Sequence, residues 1–275
     1  MNKNINLVLI FAVVLTALPA SAVVNTFTPA QIMTAIQPYM IPSNAINPSS
    51  PMKQSQDMRG QVYIYELPTN PVVYVYTSSG AIDCDGQATL KCTGITDPLY
   101  QGQTSFTQSD GKPLNAELLP WYVLPETPNP IFDYANRNIH SGEAGAVLYN
   151  GKMEYGVFGD ERGRDEGNNE GLAIGEVSYA MASSLGIDPD PKNGGVESGI
   201  TYIVFTTEAN VVEPIESHAA AEVKGQSALE TMISQLGAVE TPSVIPTVTQ
   251  AATPTPEPTP ASQNPLRHHR YHRRW

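Results

Sequence analysis

A chain of 275 residues with 27 acidic against 15 basic side chains carries a formal charge of −12, which argues against a nucleic-acid partner because phosphate contacts need clustered Lys and Arg. Within residues 23–240 ten basic residues face 26 acidic ones, a charge of −16, so that body would instead attract a polycationic ligand. Its length suits one domain, or one domain with decorations.

The first 22 residues combine Lys3, an apolar run over 7–18 and the small-residue stretch Ala20-Ser21-Ala22. That pattern reads as a secretory signal peptide cut after Ala22, with an uncleaved N-terminal anchor as the other reading. Outside it no stretch approaches the roughly 20 apolar residues of a membrane span. The expected location is therefore extracellular, with retention at the cell surface as the alternative.

Thr28 followed by Pro29 predicts a short helix over 28–37, with Thr28 as N-cap. QVYIYE (61–66) and VVYVYT (72–77) alternate with the two-residue period of strands. Strand by strand, one face carries Val62, Ile64, Val73 and Val75, the other Tyr63, Tyr65, Tyr74 and Tyr76. Strand tyrosines serve sheet packing or, alternatively, stack on a flat ligand such as a sugar ring. Cys84 and Cys92, with seven residues between them, are expected to pair in an oxidising compartment and to pin the segment carrying Asp83 and Asp85.

Asn150-Gly151 between two apolar runs predicts a hairpin pairing 145–149 with 152–158, which would deliver Asp160 just past a strand end. From Gly175 to Leu185 the apolar spacing predicts a helix capped by Gly186, with Glu176 in its first turn. A strand over 200–206 and a longer helix over 215–237 follow. Strands dominate, so the expected fold class is mainly β, α+β: a single domain, a closed or partly closed barrel with a few surrounding helices. From Thr241 to Pro265 a Thr/Pro-rich stretch reads as an extended linker. The basic tail 266–275, with four arginines and three histidines, either contacts an anionic cell-wall or membrane surface or is a disordered solubilising end.

Residues 155–176, YGVFGDERGRDEGNNEGLAIGE, set six carboxylates against two arginines. A hydrated loop accounts for Glu161, Asp165, Glu166 and Glu170. Asp165 and Glu176 have the span of a calcium loop, but Gly167 and Glu170 occupy the wrong positions within it. Asp83-Cys84-Asp85-Gly86 resembles part of such a loop and lacks the downstream Glu. No metal or cofactor is expected. The third reading is acid–base hydrolysis, in which Asp160 and Glu176, at the ends of the loop, act as the two carboxylates of glycoside cleavage. No Gly-x-Ser-x-Gly elbow or zinc motif competes, and His140 and His218 read as structural.

GVFGDERG followed by IGEVSYAMASSLGI resembles the chitosanases of glycoside hydrolase family 75, which carry a Gly-Asp-x-x-Gly turn and then Gly-Glu-x-Ser opening an alanine-rich helix. AIDCDG (81–86), LPWYVLP (119–125), AVLYNGKMEYGVFGD (146–160) and TYIVF (201–205) match in the same order, so the likeness covers roughly residues 60–207. The loop between the two motifs is longer and more charged than the family pattern. The resemblance implies that Asp160 and Glu176 are catalytic and that cleavage is endo with inversion, which calls for carboxylates about 6.5–9.5 Å apart. It implies a cationic glucosamine polymer as substrate, with Asp83, Asp85, Tyr155 and Glu161 as binding candidates. For the roles within the pair, a first-turn position favours Glu176 as base and like-charge crowding favours Asp160 as acid, unless burial reverses them. The rival reading is a cell-surface or polysaccharide-binding protein that kept the fold and lost the chemistry.

Overall fold

The computed structural model describes residues 26–163 and 172–237. The expected signal segment, the middle of the acidic loop, the linker and the basic tail lie outside the described residues.

Helix α1 (Pro29–Ile36) starts where Thr28 and Gln31 form a reciprocal capping box, and it buries Ile32, Ala35 and Ile36. Strands β1 (Met52–Gln54), β2 (Gln61–Val62) and β8 (Ala173–Ile174) make a small side sheet. The remaining strands are β3 (Ile64–Leu67), β4 (Val73–Asp83), β5 (Trp121–Pro125), β6 (Ala144–Tyr149), β7 (Lys152–Arg162), β9 (Glu176–Ser178) and β10 (Val196–Phe205). They run in the order β10-β6-β7-β5-β9-β4-β3, and β10 also pairs with β4, so six of them close a barrel. The expected closed, mainly β domain is what forms. Strand β4 serves three neighbours: β10 along one edge, and β3 then β9 in succession along the other.

The interior is aromatic. Tyr76 and Tyr202 stack at 4.7 Å between ring centroids, and Tyr122 and Phe158 lie parallel at 6.0 Å. The Tyr122 hydroxyl donates to the Glu143 carbonyl and that of Tyr202 to the Ser79 carbonyl, so neither buried phenol is left unpaired. Fully buried, Phe158 contributes about 1.5–3 kcal/mol by leaving water. Tyr74 and Tyr76 belong to this interior, whereas Val73 and Val75 face outward to α1 and to α3 (His218–Leu236). Ile64 pairs with Tyr76 and shares its side, so the division expected strand by strand holds within each strand, while β3 turns its aliphatic side and β4 its tyrosine side to the interior. These two tyrosines are core, not stacking platforms.

Strands β6 and β7 form the predicted hairpin, with Asn150 at φ 46° and Gly151 at φ 76°. Two details differ from expectation. Asp160 lies within β7, which runs on to Arg162. Glu176 is the first residue of β9, because helix α2 (Tyr179–Leu185) begins only after Ser178 caps it by accepting from the Met181 N–H. Gly175 explains the late start. Its φ of +111° is outside the helical range, and a Cβ there would lie 2.3 Å from Ser78 Oγ. The Gly175 carbonyl accepts the Ala81 N–H at 3.0 Å, which locks Glu176 into register against β4. Helix α2 ends, as expected, at Gly186 in the left-handed region.

Candidate active site

Three acidic side chains on the outer face of neighbouring strands are joined by a fourth from the segment that follows β4. Along β5 and β7, Trp121 pairs with Val157 and Tyr122 with Phe158, but Val123 pairs with Asp160. Gly159 is therefore an extra residue, a bulge, and it shifts the alternation by one. Without it Asp160 would follow Phe158 into the barrel; with it Asp160 takes the outward side of Trp121 and Val123. Only glycine fits, since a Cβ at 159 would stand 2.6 Å from both Cβ and Cγ of Trp121. On the far side of β5, Ile82 of β4 pairs with Val177 of β9 over the core, which leaves Asp83 and Glu176 on the outward side.

The segment after Asp83 is shaped by the Cys84–Cys92 disulfide, with both cysteines fully buried. Asp83 accepts the Trp121 indole N–H at 2.8 Å and the Asp85 N–H at 2.9 Å. Asp85 accepts the Gln101 N–H at 2.6 Å. Asp160, only 6% exposed, accepts the backbone N–H groups of Ser105 and Glu161, each at 2.8 Å. One carboxylate oxygen from each of Asp83, Asp85 and Asp160 lies within 4.8 Å of the other two. Glu176 makes an ion pair with Arg162, Oε1 to Nη1 at 2.6 Å.

Crowding and burial raise the proton affinity of the group. Burial, followed by the charges of Asp160, Asp85 and Glu176, holds the Asp83 carboxyl well above the usual range. Burial pushes Asp85 up to about 7, with Asp160, Asp97 and Glu176 adding and the Gln101 hydrogen bond opposing. Asp160 is raised mainly by burial, with Glu176 adding, against hydrogen bonds from Ser105 and Glu161. Three acceptors at this spacing suit a cation, whether a hard divalent ion or a substrate ammonium group.

Two of the expected binding residues stand elsewhere. Glu161 follows the bulge on the opposite side from Asp160 and accepts the Tyr134 hydroxyl at 2.6 Å. Tyr155 is only 3% exposed and packs under α3, where Gly225 lies against its ring. Its ring packs with Ala146, Ile203 and Leu229 rather than facing the acidic group, unlike what substrate binding was expected to require. Sequence reasoning missed Arg162, Ser105 and Trp121 as partners of the acids. The signal for Arg162 was present, since two residues after Asp160 on a strand lie on the same face. Ser105 gave none, because it reaches Asp160 from a loop 55 residues upstream. Two cavities, of about 180 Å³ beneath α3 and about 470 Å³ beside Tyr179, have no wall from Asp160 or Glu176 among the described residues.

Comparison with known proteins gives this arrangement a context. The family described as fungal chitosanase of glycosyl hydrolase group 75 matches residues 81–240, more than half of the chain. Endo-chitosanase B of Aspergillus oryzae is 32% identical over 143 residues, which cover 49% of this chain and 56% of that protein. Endo-chitosanase C of the same species is 34% identical over 134 residues, 48% of this chain and 31% of that protein. An endo-chitosanase of Aspergillus fumigatus is 28% identical over 148 residues, 50% of this chain and 59% of that protein. The matched regions thus span from about a third to three fifths of those relatives. The matched region contains Asp83, Asp85, Asp160 and Glu176, and on its extent the chain belongs to glycoside hydrolase family 75.

Proposed function

We propose that the protein is a secreted endo-chitosanase in which Asp160 is the general acid and Glu176 the general base of an inverting hydrolysis. The observation that carries this reading is the meeting of Asp160 and Glu176 on one outward face, in unlike surroundings, from two strands on either side of β5. Burial favours the protonated form of Asp160, as an acid requires. Glu176 has a guanidinium at hydrogen-bond distance to orient its carboxylate. In the proposed step Asp160 gives its proton to the glycosidic oxygen as the bond to the anomeric carbon breaks. Glu176 takes a proton from the water that attacks the opposite face of the ring. Inversion at the anomeric carbon follows.

Asp83 and Asp85 are the proposed partners of a glucosamine ammonium beside the cleavage point, where charge-assisted hydrogen bonds would favour the charged carboxylates. The net charge of −16 over residues 23–240 supports steering of a polycation toward the protein. In the same reading residues 1–22 direct secretion, 241–265 form a spacer and 266–275 contact an anionic surface.

The test is product release from soluble chitosan by the parent chain and by Asp160→Asn and Glu176→Gln, with the anomer of the first product followed by NMR. Oligosaccharides released as α-anomers by the parent alone are the expected result. Release of β-anomers would overturn inversion. Unchanged release by either variant would remove that residue from the chemistry, and retention of the polymer without cleavage by the parent would favour a binding protein.

A further inference from the structure

Helix α3 meets the barrel through a group of side chains that the proposed hydrolysis does not use. His218 opens the helix and Glu222 follows four residues later, so both lie on one helix face. Glu154 of β7 lies opposite. His218 Nε2 stands 3.0 Å from Glu154 Oε1, and one donor atom from each of the three residues lies within 4.8 Å of the other two. The site is reachable because β5 pairs with β7 only from Val157 onward. All three residues are partly exposed.

We propose that Glu154, His218 and Glu222 bind a divalent transition-metal ion of the zinc type, which fastens α3 to β7. An imidazole with two carboxylates is a donor set that suits zinc and its neighbours better than calcium, which takes six to eight oxygens. Three protein ligands also leave a position for water. Glu154 Oε1 accepts the Tyr155 N–H at 3.0 Å, an outer-shell contact that orients the carboxylate.

A second observation concerns Tyr155, the residue next to Glu154 in the chain. The Tyr155 hydroxyl is buried and has no hydrogen-bond partner among the described residues. A buried hydroxyl without a partner costs about 1–3 kcal/mol, and an ion-bound water would supply the donor its oxygen lacks. A plain ion pair between His218 and Glu154 leaves both Glu222 and that hydroxyl unexplained.

The experiment uses the full chain in chelator-free buffer, with the tail histidines replaced (H268A, H269A, H272A) so that the tail cannot bind the ion. Calorimetric titration with zinc chloride should give one ion per chain, and saturation should raise the thermal midpoint by about 5 °C, reversed by EDTA. Calcium should do neither. Glu222→Gln, which keeps the His218–Glu154 contact, and His218→Ala should each lose the shift, with unchanged circular dichroism. If His218→Ala fails to fold, Glu222→Gln decides. No zinc-dependent shift in the parent, a full shift in Glu222→Gln, or an equal response to calcium would overturn the assignment.

Discussion

Strand β7 lies under two coverings, and the contrast between them explains how the barrel carries a site. Upstream of Gly159 its outward residues are Tyr155 and Val157, buried beneath α3 and apolar neighbours. Downstream the outward residues are Asp160 and Arg162, which meet backbone donors and another acid. The two halves share one strand and one face. They differ through a single extra residue that resets the alternation, and through a disulfide-pinned segment that brings two more carboxylates to the downstream half.

The sharpest way to break the contrast is to substitute one outward residue in each half. Asp160→Asn should lower chitosan turnover about 10²–10⁴-fold, the usual worth of a general acid. Tyr155→Phe should leave turnover unchanged and, without metal, hold or raise the thermal midpoint, because it removes an unpaired buried hydroxyl. Equal kinetic losses in the two variants would erase the distinction.

Removing the disulfide with Cys84→Ser and Cys92→Ser together should cost about 2–3 kcal/mol in chemical denaturation, the chain-entropy value for so short a loop. Turnover should fall as well, through looser placement of Asp83 and Asp85. Stability lost without any kinetic effect would mean that the pinned segment contributes only to folding. Gly159→Ala should cost about 1–3 kcal/mol from overpacking against Trp121. Its kinetic loss should exceed that of any equally destabilising substitution upstream, since it also re-aims Asp160.

The smallest effect is a slope. Glu143, fully buried, has its carboxyl pushed by burial to about 8, and Asp85 to about 7, against ordinary values of 4.5 and 3.8. Between the ordinary and the raised values the folded chain holds protons that the unfolded chain has lost, so stability falls as pH rises. The thermal midpoint should be highest near the ordinary carboxylate range and decline through about pH 8. Glu143→Gln should flatten the upper part of that decline; a midpoint that rose from pH 4 to 8 would contradict the sign.

Much of the frame was legible because local chemistry wrote it. The Thr28 cap, the Asn150-Gly151 turn, the Gly186 cap and the alternation in β4 each act within a few residues. The misreadings were places where a distant contact decided. Helical spacing after Gly175 is real, but the anchoring of its carbonyl on β4 keeps Glu176 in a strand and removes the first-turn argument for its role. The bulge at Gly159 has no local signature beyond one glycine, because it is defined by its register against Trp121 and Val123 on a strand 36 residues earlier. Asp160 and Glu176 were nameable from their motifs. Their neighbours Ser105, Trp121 and Arg162 acquire meaning only once the strands are side by side.

Closure of the barrel by β10 on β4 has a consequence for biosynthesis. Thr201 pairs with Thr77 across 124 intervening steps of chain, so the ring cannot shut until the ribosome has passed residue 205 and released it. Until then the long edge of β4 has no partner, although the strands that carry Asp83, Asp160 and Glu176 have already been made. Such distant pairing slows folding and favours assembly after most of the domain has left the tunnel. The carboxylate-bearing strands β4, β9 and β7 join through β5 without β10, so what the nascent chain leaves open longest is a bare strand edge rather than the acidic face.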